Sequence, residues 1–231
     1  MKIISYCLWG DNDLYYKGAL KNIQLAKMLL PEFGCRFYVS SDFDKNKIKQ
    51  LSKTSQVIVT NLTGSPEMML YRFLPLSEGA TMLSRDTDSR IGLREQLVVN
   101  EWLNSDKKLH IIKDHPYHNV AMLGGMWGAK NTTLNVHDLI EQFKKTKEFK
   151  NAKNCDQIFL WKYIYPYFLE EDMMIHDDFF GGIPININRY DDPYTFFIGQ
   201  PIGIDNNEND YELYSNDRLD IEKYIKEKMC K

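Results

Sequence analysis

The first 60 residues alternate short apolar runs with amphipathic segments, and this alternation limits the possible folds more than any other feature of the sequence. Apolar runs at 2–8, 36–40 and 56–60 predict three strands. Apolar residues three and four positions apart predict a helix at 16–30, and a short basic helix is predicted at 45–51. Because parallel strands need crossover helices, the sequence predicts an α/β fold with a mostly parallel central sheet flanked by helices.

The remaining sequence contains no internal repeat and no linker-like segment. Its patterns predict helices at 66–76, 95–103, 136–149, 155–165 and 218–228, and strands at 80–83, 109–113 and 173–176. Segment 181–216 is rich in Asn, Asp, Pro and aromatic residues and is predicted to be irregular. A chain of 231 residues with these features is predicted to be a single domain spanning 1–231.

Composition and charge argue against several classes of protein. A net charge of −3 argues against a broad surface for nucleic acid or anionic membranes, although local basic pockets are compatible with it. No apolar run approaches the roughly 20 residues needed to span a bilayer, and the N terminus is too polar for a signal peptide. The scattered Cys7, Cys35, Cys155 and Cys230 lack zinc-site spacing, so we expect free thiols and a cytoplasmic protein.

Two aspartates follow the apolar run 80–83, which is predicted to be a buried strand. Asp86 and Asp88 lie two positions apart, and residues i and i+2 of an extended chain point the same way. Two converging carboxylates repel each other unless a cation lies between them, and hard oxygen ligands suit Mg²⁺ or Mn²⁺. The alternative is a solvated turn in which both aspartates merely cap loops.

Two other predicted strands also end in distinctive polar turns. Trp9, Gly10 and Asp11 follow the first strand, and Asp114, His115 and Pro116 follow the strand at 109–113. Ligands of parallel α/β sheets bind at the carboxyl ends of strands, which favours a functional role for the aspartate pair. The sequence has no glycine-rich phosphate loop, so a metal ion is the natural substitute for holding a diphosphate.

Several further candidates each have a plain structural alternative. His176 follows a short apolar run and suits a third Mn²⁺ ligand, but a lone histidine is more often a satisfied core residue; His115 and His118 compete for the same role. Gly124 and Gly125 allow a ligand close to the backbone, or form a bulge or tight turn.

Two charged candidates also have plain structural alternatives, and the thiols lack the partner that a nucleophile needs. Asp156 and Gln157 open a predicted helix, where Asp156 can simply compensate the helix dipole. Arg72 can bind a phosphate or a base, or pair with a nearby glutamate, either Glu67 or Glu78. No histidine lies near Cys7 or Cys155 in the sequence, which argues against a thiol nucleophile.

In their order along the chain, these features resemble metal-dependent nucleotide-sugar glycosyltransferases of the GT-A (Rossmann-like) fold. Among these, the sequence is most similar to glycogenin-like and bacterial galactosyltransferase-type retaining enzymes. The matching positions are Ser5 to Gly10, Tyr71-Arg72-Phe73, Asp86-Thr87-Asp88, Gly124-Gly125, Asp156-Gln157, and His176 with Gly181. The chain departs from the pattern at Arg85, where the family has an apolar or small residue, and at Gly124-Gly125-Met-Trp-Gly, which replaces an Asn-Ser-Gly strand. It also lacks the Lys-Pro-Trp that often follows the late histidine.

The resemblance implies transfer of a hexose from a nucleoside-diphosphate sugar, most often a UDP-sugar, to a glycan or other acceptor hydroxyl. Residues 1–90 then form a nucleotide-binding half and 91–231 a sugar and acceptor half. The resemblance implies that Asp86, Asp88 and His176 bind Mn²⁺ or Mg²⁺. Alternatively, Asp86 contacts the ribose or the sugar of the donor.

The same resemblance implies roles for other positions. Tyr6, Trp9 and Gly10 would surround the base, and Arg72 and Arg85, with Lys17, would assist the phosphates or sugar. Gly124 and Gly125 would approach the donor, and Asp156 and Gln157 would lie near the anomeric carbon. An inverting enzyme would need a base such as Asp156, Asp177 or Asp178. Segment 181–216 would be a lid or acceptor loop.

Two functions of other kinds also fit the sequence. One is an aspartate-dependent phosphotransferase or phosphohydrolase, although its motif normally ends the first strand, and here it follows three strands. The other is a catalytically silent sugar-binding module, which would keep the aromatic residues and the glycine pair without needing a divalent ion.

Overall fold

The computed structural model describes residues 1–229 and contains a seven-stranded sheet. Its strands are β1 (Lys2–Leu8), β2 (Gly34–Val39), β3 (Gln56–Val59), β4 (Thr81–Ser84), β5 (Leu109–Lys113), β6 (Trp127–Ala129) and β7 (Met173–Asp177). They lie in the order β3-β2-β1-β4-β6-β5-β7. Only β6 runs antiparallel to its neighbours β4 and β5, so the predicted mostly parallel α/β sheet is confirmed.

Helices cover both faces of this sheet. The helices are α1 (Asp13–Leu29), α2 (Lys45–Leu51), a 3₁₀ helix (Pro66–Glu78), α3 (Leu93–Leu103), α4 (Val136–Lys144), α5 (Cys155–Phe159) and α6 (Ser215–Met229). One core packs α1 and α3 against the sheet through residues such as Ala19, Tyr6 and Trp102. The core on the opposite face joins the 3₁₀ helix, α4 and α5 through Phe73, Phe143 and Phe159.

Several element boundaries differ from the sequence prediction. The helix predicted at 136–149 ends at Lys144, and the helix predicted at 155–165 changes into a π-helical turn over Leu160–Ile164. The last helix, predicted at 218–228, begins three residues earlier, at Ser215. Segment 181–216 contains a hairpin of β8 (Ile202–Ile204) and β9 (Asp210–Glu212), where only irregular chain was predicted.

A buried ionic cluster holds the C-terminal part of the chain against the sheet. Arg94 of α3 donates to both oxygens of Asp114, at 2.8 and 3.1 Å, and to Asp178 at 2.7 Å. Arg189 joins the same two carboxylates from the irregular segment. Because Asp114 is fully buried, its charge must be compensated there, and the two guanidinium groups compensate it.

Within residues 1–229, the cysteines form no disulfide bond. Cys7, Cys35 and Cys155 are free thiols, whereas Cys230 lies outside the described residues. Within residues 1–229, no helix combines the length and the hydropathy that crossing a bilayer would require.

Helix α1 lies directly against the turn that carries the aspartate pair. Gly18 approaches this turn so closely that a Cβ there would overlap the carbonyl of Thr87 and come within 3.2 Å of Arg90 Nη1. One turn later, Asn22 donates to the carbonyl of Ser89 at 2.9 Å. Helix α1 therefore fixes the path of residues 87–90.

We predict that Gly18→Ala destabilises the protein, although alanine is the better helix former by about 1 kcal/mol. The new methyl meets backbone atoms of Thr87 and not a mobile side chain, so overpacking should lower the free energy of unfolding by about 1–3 kcal/mol. Urea denaturation measures the change.

The matched control is Gly34→Ala, because no atom lies within 4 Å of a Cβ built at Gly34. We expect that change to stay within about 0.5 kcal/mol. Equal stability of the two variants would show that α1 does not pack on the turn in the way described.

Candidate functional site

The candidate site lies beside β1, between the strands that follow it on one side of the sheet (β2, β3) and those on the other (β4 onward). Strand β1 pairs with β2 on one side and with β4 on the other, both in parallel. The chain leaves β1 into Trp9 and Gly10, and leaves β4 into Asp86 and Asp88, so these turns lie at the same edge of the sheet. In open α/β sheets this crevice, outside the carboxyl ends of the strands, is where ligands bind.

Arg72 is the ionic centre of this edge. It lies on the 3₁₀ helix, is almost fully buried, and forms ion pairs with Asp86 through Nη1 and with Asp156 through Nη2, the latter at 2.6 Å. Burial lowers the pKa of Arg72, but Asp86, followed by Cys7 and Asp156, together outweigh burial and raise this pKa above its ordinary value. Arg72 therefore joins three elements that are distant in sequence.

Gly124 and Gly125 close over this ion pair. A Cβ on Gly124 would overlap both Arg72 and the Asp156 carboxylate, and one on Gly125 would overlap the Asp86 carboxylate. The hydroxyl of Ser84 donates to the carbonyl of Gly124 at 2.6 Å, which fixes the segment to β4. The glycine pair therefore forms a tightly packed turn, which was the structural alternative to a ligand contact, and it also borders the carboxylates.

Asp88 is the less compensated member of the aspartate pair. It is half-buried, and burial, followed by the Asp86 carboxylate, raises the pKa of Asp88 to about 6. Asp86 is more open, with 49% of its side chain exposed, but one of its oxygens is already bound by Arg72. Asp88 is thus a carboxylate that lacks a full positive partner, which is the situation that a bound cation would relieve.

The turn that carries Asp86 and Asp88 is fixed by Arg90 and by the β8–β9 hairpin. Arg90 donates to the carbonyls of Thr87 and Ser89 and forms an ion pair with Asp210 of β9 at 3.2 Å. The backbone N–H of Ile202 in β8 donates to the carbonyl of Asp88 at 2.6 Å. The hairpin in segment 181–216 is therefore part of the wall around the pair.

Two residues that border the site were not predicted from the sequence. Cys7 alternates with Tyr6 on β1 and lies on the side of Arg72 and Asp156; burial raises the pKa of its thiol to about 12, so the thiol stays protonated near neutral pH. Tyr15 is 39% exposed and lies one turn before Gly18 on α1; burial and then Asp88 raise its pKa. Strand and helix periodicity could have indicated both positions.

Arg85 does not reach the site, and its predicted role at the phosphates is wrong. It alternates with Asp86 and therefore points to the α3 side of the sheet, where it forms a buried ion pair with Glu95 at 2.5 Å. Its Nη1 also donates to the carbonyls of Ser84 and Trp127, at 2.7 and 2.8 Å. Its Nε and Nη1 are thus engaged by structural partners.

Tyr6 is a core residue, and its predicted role beside a nucleotide base is wrong. Its ring is fully buried and stacks on Phe37 at a centroid distance of 4.9 Å. Trp9 differs because it lies after β1, is only half-buried, and packs with Gly10 next to Gly64. Gly10 has a φ of +75°, which glycine adopts without strain at this turn.

His176 is not a metal ligand of the pair, and that prediction is wrong. Both of its ring nitrogens are engaged, Nδ1 with His110 Nε2 and Nε2 with Glu101, each at 2.8 Å. Its ring lies on the α3 side of the sheet and three strands away from β4, whereas Arg72 and Asp156 lie on the other side. His176 is therefore a buried core residue whose two ring nitrogens both have hydrogen-bond partners.

The other sequence candidates have structural partners. His115 contacts the carbonyl of Asp217 at 3.1 Å, and His118 accepts from the backbone N–H of Asp114, so both order the 114–118 loop. Glu67 pairs with Lys144 and Glu78 with Arg36, so neither pairs with Arg72. Asp177 accepts from the N–H groups of residues 179 and 180, and Asp178 belongs to the Arg94 cluster.

The donor set at the aspartate pair fits a divalent cation that takes most of its ligands from elsewhere. Within residues 1–229, no three His, Cys, Asp or Glu side chains are grouped as a metal site. Mg²⁺ commonly binds through one or two carboxylates together with water and substrate phosphates. The raised pKa of Asp88 fits such an ion, because a cation would stabilise its charged form.

A cavity of about 430 Å³ lies elsewhere, at the amino ends of β1 and β4. Lys2, Thr81, Asn104 and Lys130 are among its lining residues. Lys130 is already bound by three backbone carbonyls of the α3 end, and Lys2 pairs with Glu32. This cavity lacks free charged groups, so we favour the edge with the aspartates as the functional site.

Comparisons with known proteins support the fold. No protein-family model and no curated protein sequence matches the chain. A solved glycosyltransferase involved in the glycosylation of the major capsid of PBCV-1 is similar over 76% of this chain and 81% of that chain, with 12% identity and a TM-score of 0.50. This likeness shows a fold similar to that of a glycosyltransferase.

A second solved structure is less similar. It is a cytidylyltransferase from Leptospira borgpetersenii serovar Hardjo-bovis (strain JB197), which covers 77% of this chain and is covered over 75% of its own length. The identity is 12% and the TM-score is 0.39, which is too low to support a conclusion about this chain.

We predict a pH-dependent gain of stability in Asp88→Asn without added metal. An unfolded aspartate has a pKa of about 3.9, so between about pH 4 and 6 the folded protein keeps a proton that the unfolded chain loses. Stability from this group therefore falls as pH rises through this window. Above pH 6 the variant should therefore be more stable. The pKa difference corresponds to about 3 kcal/mol, and solvent screening of the partly exposed side chain reduces this, so we expect a gain of about 1–3 kcal/mol.

Urea denaturation of both proteins in a chelator, at several pH values between 4 and 7.5, measures the difference. The gain should shrink toward zero near pH 4. A difference that is the same at pH 4 and pH 7.5 would contradict the described environment of Asp88.

Proposed function

We propose that this protein is a glycosyltransferase that moves a hexose from a nucleoside-diphosphate sugar, with UDP as the nucleotide, to an acceptor hydroxyl. The main observation in support is the aspartate pair after β4, beside the turn after β1, where the order of the strands reverses. The similarity of the fold to a glycosyltransferase agrees with this function.

Asp88 and Asp86 would hold a Mn²⁺ or Mg²⁺ ion with the donor diphosphate. The ion would supply Lewis-acid stabilisation of the diphosphate as its charge grows on leaving. Asp88 would be the firmer ligand, because one Asp86 oxygen is already bound by Arg72. The free oxygen of Asp86 could bind either the ion or a hydroxyl of the donor.

Arg72 would orient two carboxylates at once, Asp86 through Nη1 and Asp156 through Nη2. Its role is therefore to position Asp86 and Asp156, while the diphosphate depends on the carboxylate-bound ion. Asp156 is buried at the start of α5 and accepts the backbone N–H of Gln157 at 3.0 Å. We propose that Asp156 stabilises positive charge at the anomeric carbon and that Gln157 positions the sugar, in a retaining reaction.

Trp9 and Gly10 are the remaining candidates for contacts with the base. Trp9 is half-buried at the end of β1, so part of its ring is available for stacking. Gly10 is exposed and has no atom within 4 Å of a built Cβ, which leaves open space beside the turn.

We predict that UDP raises the melting temperature of the protein when Mn²⁺ is present. Ligand at about 100 times its dissociation constant adds about 2.7 kcal/mol of stability, which corresponds to roughly 5–10 °C for a domain of this size. Asp88→Asn should lose the Mn²⁺-dependent part of this shift, measured from the melting temperature of the variant alone. Differential scanning fluorimetry measures it.

The matched control is Asp106→Asn, because Asp106 is an exposed aspartate between α3 and β5, at the edge of the sheet opposite the pair, where it forms an ion pair with Lys107. That variant should keep the full shift. Absence of a shift with any nucleoside diphosphate, with or without metal, would refute the transferase. A shift that needs no metal and is retained in Asp88→Asn would favour a catalytically silent sugar-binding module. If the transferase is supported, a panel of nucleotide sugars tested for slow hydrolysis would identify the donor.

A further inference from the structure

The solvent face of the helix that begins at α5 carries large apolar side chains. Ile158, Trp161, Lys162 and Tyr165 follow each other at three- and four-residue spacing, and we call them the Trp161 face. Trp161 is 56% exposed and Ile158 37%, and the rings of Trp161 and Tyr165 stack at 5.5 Å. The inner face of the same helix is separately buried, so the Trp161 face is not needed for the core.

Exposed apolar residues continue beyond this helix. Tyr167 is 50% exposed and Leu169 is 60% exposed. Single exposed apolar residues are ordinary on a protein surface, but Ile158, Trp161 and Tyr165 share one helical face, and a contiguous exposed apolar patch marks an interaction surface.

A lysine-rich segment lies beside the Trp161 face. Residues 144–153 contain five lysines and one acidic residue, a net charge of +4, although the whole chain carries −3. Within the described part of the chain, no acidic partner is found for four exposed lysines of this segment: Lys145, Lys147, Lys150 and Lys153. The ion pair of Lys162 with Glu148 joins this segment to the Trp161 face.

We propose that the Trp161 face and the lysine segment 144–153 together bind the surface of an anionic lipid bilayer. Tryptophan and tyrosine rings prefer the interface between headgroups and acyl chains, and lysines are attracted by anionic headgroups. The aliphatic Ile158 and Leu169 favour a bilayer over nucleic acid, which offers no apolar layer for them.

The position of this surface relates it to the candidate site. Asp156 and Trp161 lie on the same helical segment, about 7.5 Å apart along its axis at the α-helical rise per residue. A bilayer on the Trp161 face would therefore bring membrane-borne molecules close to the carboxyl edge of the sheet. Bilayer binding itself does not depend on the proposed function and can be tested without any donor.

The test is sedimentation of the full chain with vesicles of phosphatidylcholine alone or mixed with phosphatidylglycerol. We expect binding to the anionic vesicles only, weakening as NaCl is raised. Each lysine near such a surface contributes about fivefold in affinity, so Lys150→Ala with Lys153→Ala should weaken binding by roughly 25-fold. Trp161→Ala should also weaken it, at unchanged charge.

Matched controls are Lys45→Ala with Lys49→Ala, two exposed lysines of α2, and Tyr211→Ala, an exposed aromatic residue of β9. These should bind anionic vesicles like the unchanged protein. No binding to either vesicle, equal binding to both, or equal loss in the controls would overturn the proposal. It would also be overturned if soluble dextran sulfate were bound as strongly and Trp161→Ala had no effect, because the face would then recognise polyanions.

Discussion

The buried guanidinium of Arg72 is the interaction on which the carboxyl edge of the sheet depends. A charged group that is almost fully buried costs several kcal/mol unless it is paired, and here Asp86 and Asp156 supply the pairing. Each partner comes from a different element, so the ion pairs fix the 3₁₀ helix, the turn after β4 and the start of α5 relative to one another. The glycine pair is then required, because any side chain at Gly124 or Gly125 would overlap the same groups.

This arrangement leaves the two aspartates with different surroundings. Asp86 has a cationic partner and an open side, whereas Asp88 is half-buried, and its pKa is raised by burial and by its neighbour. A cation placed at Asp88 would remove that unfavourable charge, while Asp86 is already partly satisfied. The roles of the two carboxylates therefore follow from their environments and not from their positions in the sequence motif.

Sequence periodicity predicted the fold well because strand and helix patterns are local. The α/β architecture is confirmed, and most elements lie within a few residues of their predicted ends. What local patterns could not supply was the face of the sheet to which each strand residue points. Tyr6, Arg85 and His176 lie on the α1 and α3 side, where Phe37, Glu95 and Glu101 engage them.

The same limit applies to the contacts that build the site. Arg72, Asp86 and Asp156 were separate candidates in the sequence, but nothing in their spacing showed that one guanidinium joins both carboxylates, since Arg72 and Asp156 are 84 residues apart. The hairpin within 181–216 was missed because its strands have three residues each, too few to show a period. Cys7 could have been predicted, because it alternates with the buried Tyr6 on β1.

The most direct test of the central claim is a crystal structure with UDP and Mn²⁺, with the ion located by its anomalous scattering. We predict a manganese peak in direct contact with the Asp88 carboxylate, the diphosphate on the same ion, and the base beside the turn of Trp9 and Gly10. Nucleotide and ion bound instead at the opposite edge, in the cavity lined by Lys2 and Lys130, would contradict the account.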